Sequence, residues 1–263
     1  MEYEYDSWNR IQEMTYPDGE RVRYGYNLGG MLSRVTGQKD GRSYHYIDSI
    51  HYNRFELKDG VWYGNGTRVT YDYDSLQRLS RLQSACADGA MQDIAYTYDS
   101  VGNILRIENG AGTLSNGLGG VYSSNYEYDD LYRLTGSTGT WAGSSALNYR
   151  TTAQYHANGR ISRKNLAVRR LLIGVSDTVN YSHGYYYGNA SQPNTLTRYS
   201  SSVWNPNSWL GISNEEDSQF SWDASGNMTM SCPGGEQNCR KLCWDEQNRL
   251  QGVMDNKYLS YYQ

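Results

Sequence analysis

The sequence has few of the residues that build aliphatic cores, stiff linkers or disulfide frameworks. Its 263 residues include only 4 Pro, 4 Cys and 2 Phe. Leu, Ile, Val and Phe together number 42. Low aliphatic content combined with high net charge is typical of disorder, but here 24 basic and 28 acidic side chains leave a formal charge of −4. Disorder is therefore excluded as the main description.

Other absences exclude classes of partner. The chain has an isoelectric point near 5.6 and no basic stripe, so we expect no nucleic-acid partner. Its best apolar run, residues 171–175, is far shorter than the ~18 residues that a membrane helix requires. We therefore expect no membrane insertion. The first six residues lack the basic start and apolar middle of a signal peptide.

Aromatic residues and glycine are abundant instead. The chain has 27 Tyr, 7 Trp and 28 Gly. Large rings with a polar tip can supply the buried surface that aliphatic residues do not, and glycine with little proline indicates many tight turns. No stretch keeps a 3.6-residue periodicity over ten residues with a cap, so the sequence predicts no helix and an all-β fold.

A short pattern recurs eight times along the chain. Each copy has two aromatic or apolar residues separated by one position, usually followed by Asp. The second aromatics are Tyr5, Tyr26, Tyr73, Tyr98, Tyr128, Tyr155, Trp222 and Trp244. Two wide gaps are interpreted as further units, one at Tyr44–Asp48 and one at Tyr185–Tyr187. The chain is therefore predicted to be an array of units of 20 to 30 residues.

The chemistry of one unit predicts strand, tight turn, strand. Residues two apart on a strand lie on the same face. The Asp that follows can open a turn, and the Gly or Asn three positions later tolerates a positive φ. An apolar residue two positions further restarts a strand in all eight copies. Gln77 and Tyr132 replace Gly or Asn, so their turns are expected to differ. The proposed structural motif residues are Tyr3, Tyr5, Asp6, Tyr71, Tyr73, Asp74, Tyr96, Tyr98, Asp99, Gly102, Tyr126, Tyr128, Asp129, Tyr155, Gly159, Trp222, Asp223, Gly226, Trp244 and Asp245.

Turn signals also occur between units. They predict hairpin tips at Tyr16–Gly19, Lys58–Gly60, Gly64–Thr67 and Pro233–Gly235. Two stretches, Gly110–Gly120 and Gly188–Ser218, are interpreted as long insertions. Composition stays even throughout, so the sequence predicts a single domain over residues 1–263.

These residues resemble the RHS or YD-repeat family: bacterial RHS proteins, C subunits of Tc toxins, wall-associated proteins and teneurins. The family pattern Tyr-x-Tyr-Asp-x-x-Gly-Arg-Leu is carried, with the departures noted, by the eight copies. The phrases Thr15–Gly19, Tyr63–Thr67 and Asp223–Met228 are also similar to it. The resemblance covers essentially the whole chain.

The resemblance implies a strip of antiparallel hairpins that curves into a hollow shell around a C-terminal toxin or effector domain. It implies a parent protein that is secreted or at the cell surface, with secretion machinery or surface glycans as further partners. The family's Asp-Pro-rich cleavage region and a separate toxin domain are not found in these residues. The chain is therefore expected to be a shell segment truncated at both ends, with unpaired edge strands that promote association.

The cysteines, aspartates and histidines are compared with the patterns of zinc, calcium and catalytic sites. The spacing of Cys232, Cys239 and Cys243, with no nearby His, does not match a zinc site. A Cys232–Cys239 bridge is geometrically possible, but so few cysteines suggest no disulfide framework. Single aspartates before turns do not form a calcium loop, and the four histidines are scattered without a nucleophile motif. We expect no catalytic, cofactor or metal residues and no enzymatic activity.

One alternative function concerns the tyrosines. Exposed rings on a β surface can stack on sugars, which would make the chain an extracellular glycan- or cell-surface-binding array. Rings that recur in register, each followed by an apolar residue, favour packing. Packed rings should be buried and interdependent, whereas glycan-binding rings should be exposed and individually replaceable.

Overall fold

The computed structural model describes residues 1–142, 146–172, 175–188, 192–205 and 213–262, and only the backbone of 171–172, 175–177 and 213–215. These residues form antiparallel strands, which confirms the all-β prediction. A single 3-10 turn at Glu236–Asn238 is the only helical element among them, and no described helix is long and apolar enough to cross a membrane. The strands are β1 (Glu2–Tyr5), β2 (Ile11–Thr15), β3 (Arg21–Tyr26), β4 (Leu32–Lys39), β5 (Arg42–Tyr52), β6 (Lys58–Tyr63), β7 (Arg68–Tyr73), β8 (Leu79–Cys86), β9 (Gly89–Tyr98), β10 (Ile104–Asn109), β11 (Val121–Tyr128), β12 (Leu134–Ala142), β13 (Ala146–Tyr155), β14 (Ile161–Leu172), β15 (Val175–Tyr187), β16 (Leu196–Trp204), β17 (Ser213–Trp222), β18 (Met228–Pro233), β19 (Arg240–Trp244), β20 (Leu250–Met254) and β21 (Leu259–Tyr261).

The chain divides into two compact units, Met1–Asn125 with Trp141–Ser144, and Tyr126–Thr140 with Ser145–Gln263. In the first unit each strand from β1 to β10 pairs antiparallel with the next one along the chain. In the second unit the strands from β13 to β21 do the same. Each unit is therefore an up-and-down meander.

All eight predicted copies fold as strand, turn, strand. The second aromatic ends a strand in every copy, and the apolar residue six positions later begins the next strand. In the copy at Tyr73, the Asp74 N–H donates to the Arg78 carbonyl at 2.9 Å, and the Gln77 N–H donates to the Asp74 carbonyl at 3.0 Å. The register shifts by one residue between Asp72 and Tyr73, as expected for a turn followed by a bulge.

The expectation that Gln77 and Tyr132 make different turns is wrong. Their φ values are 62° and 60°, close to those of Asn9 and Asn248 at the same position of other copies. A non-glycine residue in this left-handed region carries a conformational cost of about 1 kcal/mol. The hydrogen bonds that the turn aspartate makes on either side outweigh that cost, so the turn keeps its shape.

The structure contains a ninth copy of the turn, which the sequence pattern did not predict. It lies at Tyr52–Lys58, where Asn53 takes the Asp position and Glu56 has a φ of 63°. The unit predicted at Tyr44–Asp48 lies inside strand β5, and the hairpin tip predicted at Lys58–Gly60 lies inside β6. Asn53 and Glu56 replace both Asp and Gly of the pattern, which is why the copy was missed.

The other predicted hairpin tips are found where expected. Tyr16–Gly19 and Gly64–Thr67 close hairpins, with the N–H of Tyr16 donating to the carbonyl of Glu20 and that of Tyr63 to the carbonyl of Thr67. Residues 110–120 form a loop between β10 and β11, pinned by the buried side chain of Asn109. The predicted insertion Gly188–Ser218 instead contains strand β16 and the start of β17; residues 189–191 and 206–212 lie outside the described part.

The core of the first unit lies on one face of the sheet. Among the described residues, the strand pairs of this unit join only strands that are neighbours in the sequence. Val22, Val35, Ile50, Val61 and Ile94 are less than 9% exposed. Tyrosine rings on the same face cover these smaller side chains. At Gly37 the ring of Tyr44 lies so close that an added Cβ would be 2.4 Å from it, so the glycine makes room for the ring.

The sequence favoured no disulfide framework but left a Cys232–Cys239 bridge open, and that bridge is present. Cys232 and Cys239 are bonded, and Cys232 is only 2% exposed. The bond closes the loop between β18 and β19, which antiparallel pairing already brings together. The small number of cysteines is therefore compatible with one short, local disulfide.

Candidate functional site: the junction between repeats

The turn aspartate organises each copy of the motif. In Asp74, Oδ1 accepts hydrogen bonds from the backbone N–H groups of Leu76 and Arg78, both at 2.9 Å. Asp6, Asp99, Asp129, Asp223 and Asp245 make the same pair of bonds in their own turns. Because one oxygen holds two backbone donors, the second oxygen is left for a side chain.

The residue four positions after the aspartate occupies that second oxygen. Arg10, Arg78, Arg133 and Arg249 each donate Nε–H to the aspartate Oδ2 at 2.7 Å. Asn103 and Asn227 replace the arginine with an amide donor. The repeat pattern by itself predicted no separate role for this position. The signal that could have revealed it is the acidic and basic pair four residues apart in four of the turns, as at Asp74 and Arg78.

The second aromatic of a repeat donates a hydrogen bond to the repeat that precedes it in the sequence. The hydroxyl of Tyr98 donates to the carbonyl oxygen of Leu79 at 2.7 Å, and Leu79 is the apolar residue that begins a strand of the preceding unit. Six other copies repeat this bond at 2.7–2.8 Å, from Tyr26 to Ile11, Tyr52 to Leu32, Tyr73 to Lys58, Tyr155 to Leu134, Trp222 to Leu196 and Trp244 to Met228. Trp donates through its indole N–H, which explains why Tyr and Trp occupy the position.

The arginine completes the junction from the other side. The Arg78 guanidinium lies over the ring of Tyr98 at 4.6 Å and donates to the Asp99 carbonyl at 3.0 Å. Arg10 lies over Tyr26 at 4.1 Å, and Arg133 lies over Tyr155 at 4.7 Å. We call this set of contacts the inter-repeat junction: the turn aspartate and arginine of one repeat, and the second aromatic of the next repeat. The junction joins neighbouring repeats.

Several copies of the junction are incomplete. Asn103 and Asn227 replace the arginine, and two further copies keep the arginine but lose another contact. His156 occupies an aspartate position, so Arg160 has no carboxylate there and its Nε donates to Asn158. Arg160 still lies over the ring of Tyr187 at 4.5 Å, but its Nη1 is buried without a partner. At Arg249 the side chain is 69% exposed, against 24–28% for Arg10, Arg78 and Arg133.

The motif residues named from the sequence take the following places. The rings of Tyr3 and Tyr5 on β1 are 45% and 53% exposed. The other motif rings, at Tyr71, Tyr73, Tyr96, Tyr98, Tyr126, Tyr128, Tyr155, Trp222 and Trp244, are half-buried. Gly102, Gly159 and Gly226 have φ values of 101°, 86° and 85°. Within each compact unit the motif residues therefore supply turns and rings to successive repeats.

The junction lowers the pKa of its carboxyl groups. At Asp245 the backbone N–H of Arg249 is the largest cause, and it holds the pKa at about 2 against partial desolvation. At Asp6 the hydrogen bond from the Arg10 side chain is the largest cause of a lowered pKa. Asp74, Asp99, Asp129 and Asp223 are shifted in the same direction. These groups are stabilised as carboxylates.

Within the described ranges, no group of three or more His, Cys, Asp or Glu side chains is arranged to hold a metal ion. The junctions join neighbouring repeats, and their polar groups make hydrogen bonds and ion pairs within the protein. Fold and junctions together define a tandem β-hairpin repeat protein.

Comparison with known proteins identifies the repeat. Residues 5–43 match the RHS Repeat family model. Toxin subunit YenC1 of Yersinia entomophaga is 33% identical over 131 residues, which cover 46% of this chain and 13% of that subunit. Teneurin-4 of Mus musculus is 22% identical over 97% of this chain and 9% of its own length. The resemblance to RHS and YD-repeat proteins is confirmed: the chain carries an RHS repeat at residues 5–43 and is similar to a toxin subunit over about half of its length.

Solved structures agree on the fold. A structure of the Photorhabdus luminescens Tc holotoxin pore matches 98% of this chain and 14% of its own, with a TM-score of 0.55 and 16% identity. The crystal structure of TcdB2–TccC3 matches 96% of this chain and 17% of its own, with a TM-score of 0.56 and 15% identity. The chain thus spans a small part of the proteins it matches.

Proposed function

We propose that the chain is a structural segment of an RHS-type shell that encloses a toxin or effector domain carried C-terminally by the same polypeptide. The observation that carries the proposal is the inter-repeat junction. Its aromatic rings and charged groups contact the neighbouring repeat, and a continuous wall requires such contacts between repeats. The similarity to toxin subunits supports the proposal that the enclosed domain is a toxin or effector. In this proposal no residue of the chain does chemistry, and the wall acts by keeping the cargo from solvent and proteases.

The geometry of the rings favours this function over a glycan-binding array built on the same tyrosines. A ring that stacks on sugar must expose one face, but Tyr26, Tyr98 and Tyr155 are half-buried with an arginine over one face and a hydroxyl bonded to backbone. These rings have little free surface to offer. We also propose that residues 1–263 act as one repeat domain, since the same turn occurs in both compact units.

The proposed location is outside the cell or at its surface. The Cys232–Cys239 bond supports an oxidising compartment, because disulfides are rare in reducing cytosols. Secretion machinery is the further partner that this location requires.

Limited proteolysis of the complete polypeptide tests the shell. The reading frame beyond the codon of Gln263 is sequenced, and the whole product is expressed with and without Tyr98→Ala. We expect a non-repeat C-terminal domain that proteases spare in the intact protein and cleave sooner in the variant. A frame that ends at Gln263, or a domain cleaved equally fast within the polypeptide and alone, would contradict the proposal.

A further inference from the structure

The motif turns of the first unit each expose a large apolar side chain. These turns join β1 to β2, β3 to β4, β5 to β6, β7 to β8 and β9 to β10. They lie at the same end of the strands, because every strand pairs antiparallel with its sequence neighbours. We call these side chains the apolar row: Trp8, Leu28, Phe55, Leu76 and Val101, which are 72%, 106%, 49%, 65% and 59% exposed.

The turn itself does not require an apolar residue at these positions. The turn that follows β11 exposes Leu131, but three later turns of the second unit carry short or polar side chains there. These are Ala157 and Asn158, Ala224 and Ser225, and Glu246 and Gln247. Since a turn is formed by its aspartate and by its residue with positive φ, the apolar row has another cause. Exposed apolar surface of this extent is typical of an interaction site.

The spacing of the apolar row makes it complementary to itself. Consecutive members are two strands apart, which corresponds to about 10 Å. A second copy of the row has the same spacing, so two rows that run in opposite directions about a two-fold axis bring one side chain against one side chain. The axis then passes through the middle member, Phe55. Leu28 meets Leu76 of the second copy, and Trp8 meets Val101.

The charges beside Phe55 match the same arrangement. Arg54 and Glu56 flank the ring and are exposed, and neither forms an ion pair with another described residue. Arg54 precedes Phe55 on the β5 side of the turn, and Glu56 follows it on the β6 side. A two-fold axis at Phe55 therefore places Arg54 of one copy opposite Glu56 of the other, and it does so twice.

Burial of the apolar row leaves few polar groups unsatisfied. Asn53 Oδ1 already accepts hydrogen bonds from the N–H groups of Phe55 and Leu57, at 2.9 and 3.1 Å. The aspartates of three other turns hold their backbone donors in the same way. Two apolar rows bury about 1,000 Å² in total, which is the lower limit of a specific interface.

We propose that the apolar row binds a second copy of this chain about a two-fold axis at Phe55. The small area predicts a reversible dimer with a Kd of about 10–100 μM. This interface uses side chains at the ends of strands. It differs from pairing between edge strands, which would use the backbone of β1 or β21. It goes beyond the proposed shell and does not depend on it.

Analytical ultracentrifugation of the full chain tests the proposal. At concentrations around the expected Kd, we expect a reversible equilibrium between monomer and dimer. Phe55→Ser should weaken the dimer at least about tenfold. The matched control is Leu118→Ser, which removes an equally exposed apolar side chain (65%) from the loop between β10 and β11, at the other end of the strands. This control should leave the Kd unchanged, and circular dichroism checks that both variants keep their sheet.

A charge swap tests the two-fold axis. Arg54→Glu and Glu56→Arg each place like charges opposite one another and should weaken the dimer about threefold or more. The double variant with both substitutions restores opposite charges and should recover the Kd of the parent chain. A chain that stays monomeric, a dimer that Phe55→Ser leaves intact, an equal loss in Leu118→Ser, or a double variant without recovery would overturn the proposal. A dimer that is indifferent to Phe55→Ser would instead indicate pairing between edge strands.

Discussion

Strands β1 to β10 and strands β13 to β17 use the same antiparallel meander in different ways. In the first region, motif turns recur from Tyr5 to Tyr98 at intervals of 21 to 26 residues, and the face that carries the rings buries Val22, Val35 and Ile94. In the second region the strands are 9 to 13 residues long. Its ring-bearing face places Lys164, His183, Ser201 and Glu216 as successive cross-strand neighbours.

The difference shows what the motif controls. It sets where a hairpin ends, how the register shifts at the bulge, and how one unit is joined to the next. It leaves the middle of the strands free, because pairing there depends on backbone hydrogen bonds and not on side-chain identity. Where the motif lapses, between Tyr187 and Leu196, the strands still pair. The long polar strands of the second region therefore have room for a surface that the repeats do not need.

Lowering the pH should destabilise the first region before the second. We expect this to be the largest effect, because acid protonates all turn aspartates at once. Their folded pKa values lie below the unfolded value of about 4. A lowered pKa stabilises the fold above the unfolded pKa, and this contribution is lost as pH falls through the folded pKa. We therefore expect the melting temperature to fall between about pH 4 and pH 2.

Hydrogen exchange at pH 3 distinguishes the two regions. Amides of the motif hairpins in β7 to β10 should lose protection before those of β14 to β16, which contain no turn aspartate. The variant Asp74→Asn serves as the control, since it removes one titrating group and should flatten the dependence locally. Simultaneous loss of protection throughout, or a flat melting temperature down to pH 2, would contradict the assigned role.

Removing one junction ring should be the next largest effect. Tyr98→Ala loses a half-buried ring, the bond to the Leu79 carbonyl and the stack with Arg78, so we expect a loss of about 2–3 kcal/mol in the free energy of unfolding. Tyr98→Phe, which removes only the hydroxyl, should cost about 1 kcal/mol. Urea denaturation measures both.

Two controls sharpen this measurement. Tyr185→Phe removes a hydroxyl that has no hydrogen bond among the described residues, so it should be neutral. Tyr258 is 72% exposed, and Tyr258→Ala should change stability by less than about 0.5 kcal/mol. Equal effects at Tyr98 and Tyr258 would show that the junction rings are individually dispensable, as a glycan-binding array requires.

The disulfide should matter less than a junction ring. Replacing Cys232 and Cys239 with Ser opens a short loop and should cost about 2 kcal/mol, because the unfolded chain gains freedom. Differential scanning calorimetry with and without dithiothreitol measures the effect. Cys243→Ser, which changes an exposed free thiol, should keep the sensitivity to reductant. A double variant that still responds to reductant would contradict the bond.

Repairing an incomplete junction should give the smallest change, and in the opposite direction. His156→Asp places a carboxylate four residues before Arg160, whose Nη1 lacks a partner. We expect a gain of about 0.5–1 kcal/mol in stability, reduced by loss of the edge contact between His156 and Tyr187. The gain should disappear in the Arg160→Gln background. A gain that persists there would show that Arg160 is not its cause.

Several features followed from particular residues. Asp74 with its following Leu79 predicted a turn and a restarted strand, and both are present. Asn53 and Glu56 hid a ninth copy because neither matches the residues usual at its position. The role of Arg78 was also missed, since its ring partner Tyr98 lies 20 residues away. A contact of that kind depends on the register between units, which a local pattern does not encode.

By itself the sequence determined the class of fold, the kind of turn and the repeat that places the rings. These depend on local chemistry: side-chain alternation, aspartate capping and tolerance of positive φ act within about seven residues. Only the tertiary structure decided which carbonyl each ring binds, how Arg78 joins its turn to the next repeat, and that Ser182 and Ser202 are cross-strand partners. Those outcomes depend on strand register, because pairing brings together residues that are distant in the chain.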